Sequence, residues 1–252
     1  MGNMPDHRRH RGAHPRDREL FSEARLPALR SAVADYSWLQ TRGYAGSSAL
    51  ELVGDRYQLT ARQRVAVSRV ACSDAAYVQR RSRRVSAPEL AGETIAVDGF
   101  NACITLEVAL SGGLVLVGRD GAYRDLASVH GSYRRVTETP RALELLIESL
   151  AACEPARVTW YFDRPVSNSG TLAGLLRRRF EVLGLAWGVE LVDYADRHVS
   201  GSGVVSISAD SGVLDVAERW FDLAGSVIRE RVPGAWRIEL TTAGDAAAAA
   251  DG

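Results

Sequence analysis

Beyond about residue 88 the chain alternates short β-branched runs with helical segments, and three of the runs end on an aspartate. This alternation constrains the fold most, because parallel strands need long crossovers and those crossovers are usually helices. It predicts strands over Thr94–Val97, Leu114–Val117, Val158–Phe162, Val189–Val192 and Val204–Ser208. Helices are expected over Ala102–Leu110, Pro140–Ala152, Thr171–Leu183 and Ser211–Trp220, while Val227, Ile228, Ile238 and Leu240 offer a further edge element. The fold class expected is α/β, a parallel sheet with helices on both faces.

Ahead of residue 88 the period changes. Leu20, Phe21, Leu26, Leu29, Val33, Tyr36 and Leu39 recur at steps of three and four, with Pro27 as a helix start or break. Ser47 or Ser48 is placed to cap a second helix through Leu52 and Tyr57, and Thr60 to cap a third that carries Val65, Val67, Val70 and Tyr77. The reading is a small all-α domain over 18–88 ahead of an α/β domain over 89–240. Residues 1–17, rich in Arg, His, Pro and Gly, read as a disordered basic tail, and 241–252 as a flexible one.

Charge is uneven between these parts. Residues 1–88 hold 16 Arg against 8 acids, and residues 89–252 hold 15 against 23, so a basic front and an acidic back cancel to zero. All 31 basic residues are Arg. Without a lysine the chain is no P-loop NTPase, pyridoxal-phosphate enzyme or Schiff-base aldolase. Cys72, Cys103 and Cys153 are far apart and form no C-x-x-C, which reads as reduced thiols. There is neither an apolar run of ~18–20 residues nor an apolar core in the first residues, so a cytoplasmic location without a membrane partner is expected.

The chemistry-bearing residues are Asp98 in IAVDGFN, Asp163 in TWYFDRPVSNSG and Asp210 in VVSISADSGVLD. Open parallel sheets bind ligands at the carboxyl ends of their strands, so adjacency would gather all three on one rim. Each alone is equally suited to capping the next helix. Together they repel, by ~4 kcal/mol for two charges ~4 Å apart at an effective dielectric near 20, and so call for cations or raised pKa values. Hard oxygen donors favour Mg2+ or Mn2+, which can activate water and clamp a phosphodiester. Glu107 and Asp215 are the candidates for a fourth carboxylate. Candidate substrate contacts are Asn101, then Arg164, Ser167, Asn168 and Ser169 in the loop after Asp163, and His130 and Arg134 in VHGSYRRVTET; turn or cap roles are the alternative for each.

DGFN after a first strand, a strand ending in YFD and a late SADSGVLD resemble the PIN-like superfamily, especially its NYN branch. The span from Tyr36 to Val227, with RGYAGSSALELVGDRYQLTARQR, ALSGGLVL, DRPVSNSG and WFDLAG, also resembles the uncharacterised family known as domain of unknown function 434. The PIN-like resemblance implies that Asp98, Asp163 and Asp210 bind magnesium or manganese and cut RNA or DNA, with Asn101 beside them. Many NYN members carry D-S-D in the last motif; Gly212 stands in the second place here, leaving Asp215 to compensate.

The leading expectation is thus a metal-dependent nuclease acting on RNA, its basic helical part holding phosphates, with a homodimer left open. The alternative is a non-catalytic nucleic-acid-binding protein with a degenerate PIN-like domain. A haloacid-dehalogenase-type phosphatase ranks low, because Phe100 stands where that fold needs a second Asp and Lys is absent.

Overall fold

The computed structural model describes residues 10–127 and 133–241. Among the described residues the front of the chain forms five helices: α1 (Asp17–Leu20), α2 (Leu26–Thr41), α3 (Gly46–Arg56), α4 (Ala61–Val70) and α5 (Asp74–Arg83). Pro27 lies in the first turn of α2, where a missing N–H removes no helical bond. Thr60 and Gln63 form a reciprocal capping box at the start of α4. The third helix expected through Tyr77 is in fact two, because Ser73 accepts the Ala76 N–H (3.2 Å) and starts α5 anew. Neither Ser47 nor Ser48 caps α3, whose N-cap is Ala45.

The back of the chain runs β1 (Thr94–Asp98), α6 (Gly99–Leu110), β2 (Val115–Val117), β3 (Tyr123–Asp125), α7 (Thr139–Ala151), β4 (Arg157–Asp163) and α8 (Ser169–Leu183). It continues with β5 (Gly188–Val192), α9 (Ala195–Val199), β6 (Val205–Ile207), α10 (Ser211–Val216), β7 (Arg219–Phe221), α11 (Leu223–Arg231) and β8 (Arg237–Glu239). The central sheet is wholly parallel, in the order β5-β4-β1-β6-β7. Three expectations are corrected here. The Leu114–Val117 run lies outside this sheet, since β2 pairs with β3 and β8 in a second, three-stranded sheet. The helix after Asp210 ends at Val216, because the chain re-enters the sheet as β7. Of the expected edge element, Val227 and Ile228 belong instead to helix α11, whereas Ile238 does lie in an edge strand, β8 of the small sheet.

The two faces of the central sheet differ. Ile95, Val97, Val158, Trp160, Phe162, Val205 and Ile207 point to one face and share a core with residues of α6, α7, α8 and α11. Each large side chain buried there contributes about 1.5–3 kcal/mol. The opposite face is small and polar, with Ala96, Thr159 and Ser206 in register. Helix α9 lies against it, fastened by the Ser206 hydroxyl donating to the Val199 carbonyl (2.7 Å). Trp220 fills the β7 end, its Nε1–H donating to the Arg80 carbonyl on α5 (2.6 Å).

The small sheet is the seam between the two regions. Leu114, Leu116, Leu126, Ile238 and Leu240 complete the core of the helical region with Leu29, Val33, Tyr36 and Val67, whereas Val115 joins the α/β core. Residue 88 therefore marks a change of periodicity within one continuous packing arrangement.

Residues 10–17, expected in a disordered tail, are instead fastened: Arg11 pairs with Glu107, and the fully buried Asp17 pairs with Arg62. Residues 1–9 and 242–252 of the expected tails lie outside the described residues. The opposite charges of front and back meet at the seam, as Arg11 with Glu107, Arg69 with Asp125 (3.7 Å), and Arg80 with Asp120 (2.8 Å) and Asp215 (2.6 Å). Among the described residues no helix is long and apolar enough to cross a membrane.

Candidate functional site

Strand order reverses between β1 and β6, the switch point at whose carboxyl edge open α/β sheets leave a crevice. Asp98 ends β1 there, and Ser208, Ala209 and Asp210 follow β6. The turn out of β1 is dictated by packing. A Cβ on Gly99 would stand 2.2 Å from the Phe162 ring, so glycine lets α6 start directly over that aromatic. Phe100 then meets Phe162 edge-on, ring centroids 5.0 Å apart.

A short hydrogen-bond relay joins the two loops. Asp98 Oδ1 caps α6 by accepting the Asn101 N–H (3.0 Å), and Oδ2 accepts the Ser208 hydroxyl (3.0 Å). Ser208 Oγ in turn accepts the Asp210 N–H (3.1 Å), and Asn101 Oδ1 accepts the Ala209 N–H (2.8 Å). Asp210 Oδ1 caps α10 through the Gly212 and Val213 amides (2.8 and 3.3 Å). Asp163 at the end of β4 accepts the Ala195 N–H (2.9 Å), which places the start of α9, and with it Asp196, beside the rim. Sequence reasoning missed Asp196. It sits on a five-residue helix, too short for periodicity to register, and is set off from the Val189–Val192 run by three residues.

Electrostatics ties these carboxylates together. Burial pushes the Asp98 carboxyl up to about 7; the Asn101 amide opposes the rise, and the negative charges of Asp196 and Asp210 add to it. Asp196 is raised too, by desolvation and then by Asp210 and Asp163. Among the described residues none of Asp98, Asp163, Asp196 and Asp210 is in an ion pair, whereas their neighbours Asp193 and Asp215 are. Asp98 is nearly buried, whereas Asp196 and Asp210 face solvent. No group of three or more His, Cys, Asp or Glu among the described residues is gathered as a ready-made metal cage. The donor set suits a hard, hydrated divalent cation that takes one or two carboxylates and completes its shell with water.

The other candidates are placed elsewhere or otherwise employed. Glu107 is no fourth carboxylate of the rim: it is buried two turns along α6, where it accepts Tyr133 Oη and Thr139 Oγ1 (both 2.5 Å) and pairs with Arg11. Asp215 is bound to Arg80 and does not replace an acid at Gly212. The loop after Asp163 spends its polar groups on itself and its neighbours. Arg164 donates to the Leu191 carbonyl (2.7 Å), and the Ser167 carbonyl accepts the Tyr133 N–H (3.1 Å). Asn168 takes a left-handed turn (φ 69°) and donates to the Tyr133 carbonyl (2.8 Å), and Ser169 Oγ donates to the Arg164 carbonyl (3.3 Å). These contacts shape the turn, and Arg164, Ser167 and Asn168 remain exposed. Arg134 is exposed and its carbonyl accepts the Arg11 guanidinium (2.7 Å), while His130 lies outside the described residues. On α9, next to Asp196, the Arg197 guanidinium covers the Tyr194 ring (4.8 Å) and His198 stacks on Tyr161 (5.1 Å). A cavity of about 650 Å³ between Pro88, Cys153 and Phe221 is lined by none of these rim residues.

Two families match this chain. That described as "Domain of unknown function (DUF5616)" spans residues 87–226, and that described as "Protein of unknown function (DUF434)" spans residues 28–83. The single family expected from Tyr36 to Val227 is thus divided at the change of periodicity, and its name belongs to the helical part. An uncharacterized protein of Methanocaldococcus jannaschii is 30% identical over 187 residues, covering 74% of this chain and 89% of its own length. No solved structure matches.

Proposed function

Given that the chain belongs to the family described as Domain of unknown function (DUF5616), we propose that it is a divalent-metal-dependent nuclease with a PIN-like α/β domain, acting on RNA at the carboxyl rim of its sheet. The observation that carries this reading is that Asp98 and Asp210 are joined through Ser208 at the switch point, with Asp163 and the start of α9 beside them, and that none of Asp98, Asp163, Asp196 and Asp210 is in an ion pair among the described residues. Magnesium or manganese held there would supply a polarised water and neutralise phosphate charge. Asp98 and Asp210 are the first candidates to hold it, with Asp196 and Asp163 as further carboxylates of the rim.

The chain's own residues prepare that arrangement. Ser208 fixes the rotamer of Asp98, and Asn101 sets the spacing between the β1 and β6 loops. Exposed Tyr194, with Arg197 over its ring, offers an unpaired nucleotide a stacking surface beside Asp196, which supports a single-stranded substrate. The reading in which the basic helices alone hold nucleic acid loses support, because Arg62, Arg64, Arg69 and Arg80 are engaged by acids and carbonyls of this same chain.

The test is cleavage of labelled single-stranded RNA and DNA by purified protein with manganese or magnesium, alongside Asp98→Asn, Asp196→Asn and Asp210→Asn. Metal-dependent cutting of RNA that is lost in Asp98→Asn and Asp210→Asn is the expected outcome. Intact substrate in every condition, with no metal binding by calorimetry, would remove the nuclease reading.

A further inference from the structure

Asp210 stands between two gripped peptide groups. The Ala209 carbonyl before it accepts Arg124 Nε–H (2.7 Å), and the Ser211 carbonyl after it accepts an Arg80 Nη–H (3.3 Å). Both guanidiniums hang on one carboxylate: Arg124 holds Asp120 through two nitrogens (2.8 and 2.7 Å) and Arg80 through a third contact (2.8 Å). Arg80 also takes Asp215 at the far end of α10 (2.8 Å from Nε). All three members of this hub are buried. Beneath it Ala122, Ala209, Leu214, Ala217 and Trp220 form a small core of their own.

Arg80 belongs to α5, a helix of the front region, whereas the loop it grips belongs to the sheet. A planar guanidinium with a fixed fork of donors can hold Asp120, Asp215 and Ser211 at once; an ammonium cannot reproduce that geometry. We infer that Arg80 is a positioning residue for the Asp210 loop, so that the helical region is a built-in part of the acidic site and not a separate module for holding substrate. The consequence for metal binding rests on the nuclease reading; the mechanical consequence does not.

The test compares full-length wild type, Arg80→Lys and Asp215→Asn by hydrogen exchange and by manganese titration. Arg80→Lys is expected to speed exchange of the 209–214 amides, Gly212 and Val213 above all, while α8 keeps its wild-type protection. Manganese affinity is expected to fall about tenfold. Asp215→Asn removes one anchor of Arg80 at a half-exposed position and should loosen the same amides by a smaller factor; it decides the matter if Arg80→Lys does not fold. Unchanged 209–214 exchange, or a change shared equally with α8, would overturn the inference. A wild type that binds no manganese overturns the nuclease reading alone and leaves exchange to judge the positioning.

Discussion

Asp120 and Asp98 are both buried, 1% and 8% exposed, and the protein treats them in opposite ways. Burial alone would raise Asp120, but Arg124 and Arg80 outweigh it and pull the carboxyl to about 2. Burial of Asp98 meets only an amide, a hydroxyl and further negative charge, and its carboxyl rises to about 7. Arg124 and Arg80 reach the β6 loop at the switch point, but they spend their charge on Asp120 and touch only carbonyls on either side of Asp210. Asp120 has its countercharge supplied by two arginines of the chain, whereas Asp98 among the described residues has none.

The largest effect is expected from breaking the compensated side. Asp120→Asn leaves two buried guanidiniums without their partner and should cost about 3–5 kcal/mol in urea unfolding at pH 7. Because Asp120 is lowered in the folded state, its stabilisation is present above the unfolded carboxyl pKa and is lost as pH falls towards about 2, so the penalty should shrink over that range. Asp98→Asn should have the opposite sign. A raised carboxyl costs the folded state increasingly as pH climbs from about 4 to about 7, and asparagine keeps the cap on α6. Melts at pH 8 should show a gain on the order of 2–4 kcal/mol that disappears at pH 4; destabilisation at both pH values would mean that Asp98 is already balanced. Manganese at ~100 times its dissociation constant should stabilise wild type by about 2.7 kcal/mol and leave Asp98→Asn unmoved in thermal melts. Smallest of all, Arg219→Ala breaks a half-exposed pair with Glu93 and should cost below ~1 kcal/mol, giving the baseline for an ordinary surface charge.

Much of the central sheet was legible because its strands carry long β-branched runs. Thr94–Val97, Val158–Phe162, Val189–Val192 and Val204–Ser208 all fall within one or two residues of observed strands. The run at Leu114–Val117 was found as a strand, but a local pattern says nothing of which partner a strand will take, and this one pairs in another sheet. Strands β3 (YRD), β7 (RWF) and β8 (RIE) each contain a charged residue and no apolar run of three, and draw their identity from neighbours distant in sequence. At the rim, Asp98 and Asp210 announced themselves as Asp after a strand and before a helix. Asp196 had no such signal, and the loop from Arg164 to Ser169 suggested ligands because turn-forming and phosphate-binding side chains are the same residue types. Glu107 and Asp215 were close to the motif in sequence, yet tertiary partners from the front of the chain had claimed them.

The shared seam also governs the order of events during synthesis. Helices α1 to α5 leave the ribosome first, but the floor of their core consists of Leu114, Leu116 and Leu126, and lastly Ile238 and Leu240. These helices must therefore wait, with apolar surface uncovered, first for β2 and finally for β8, which is made more than a hundred residues after α5. Such distant closure is slow and leaves a sticky intermediate. A nascent chain stopped at residue 100 should be readily digested by protease, and one carried past residue 240 should resist, as though a zip had been drawn from its far end.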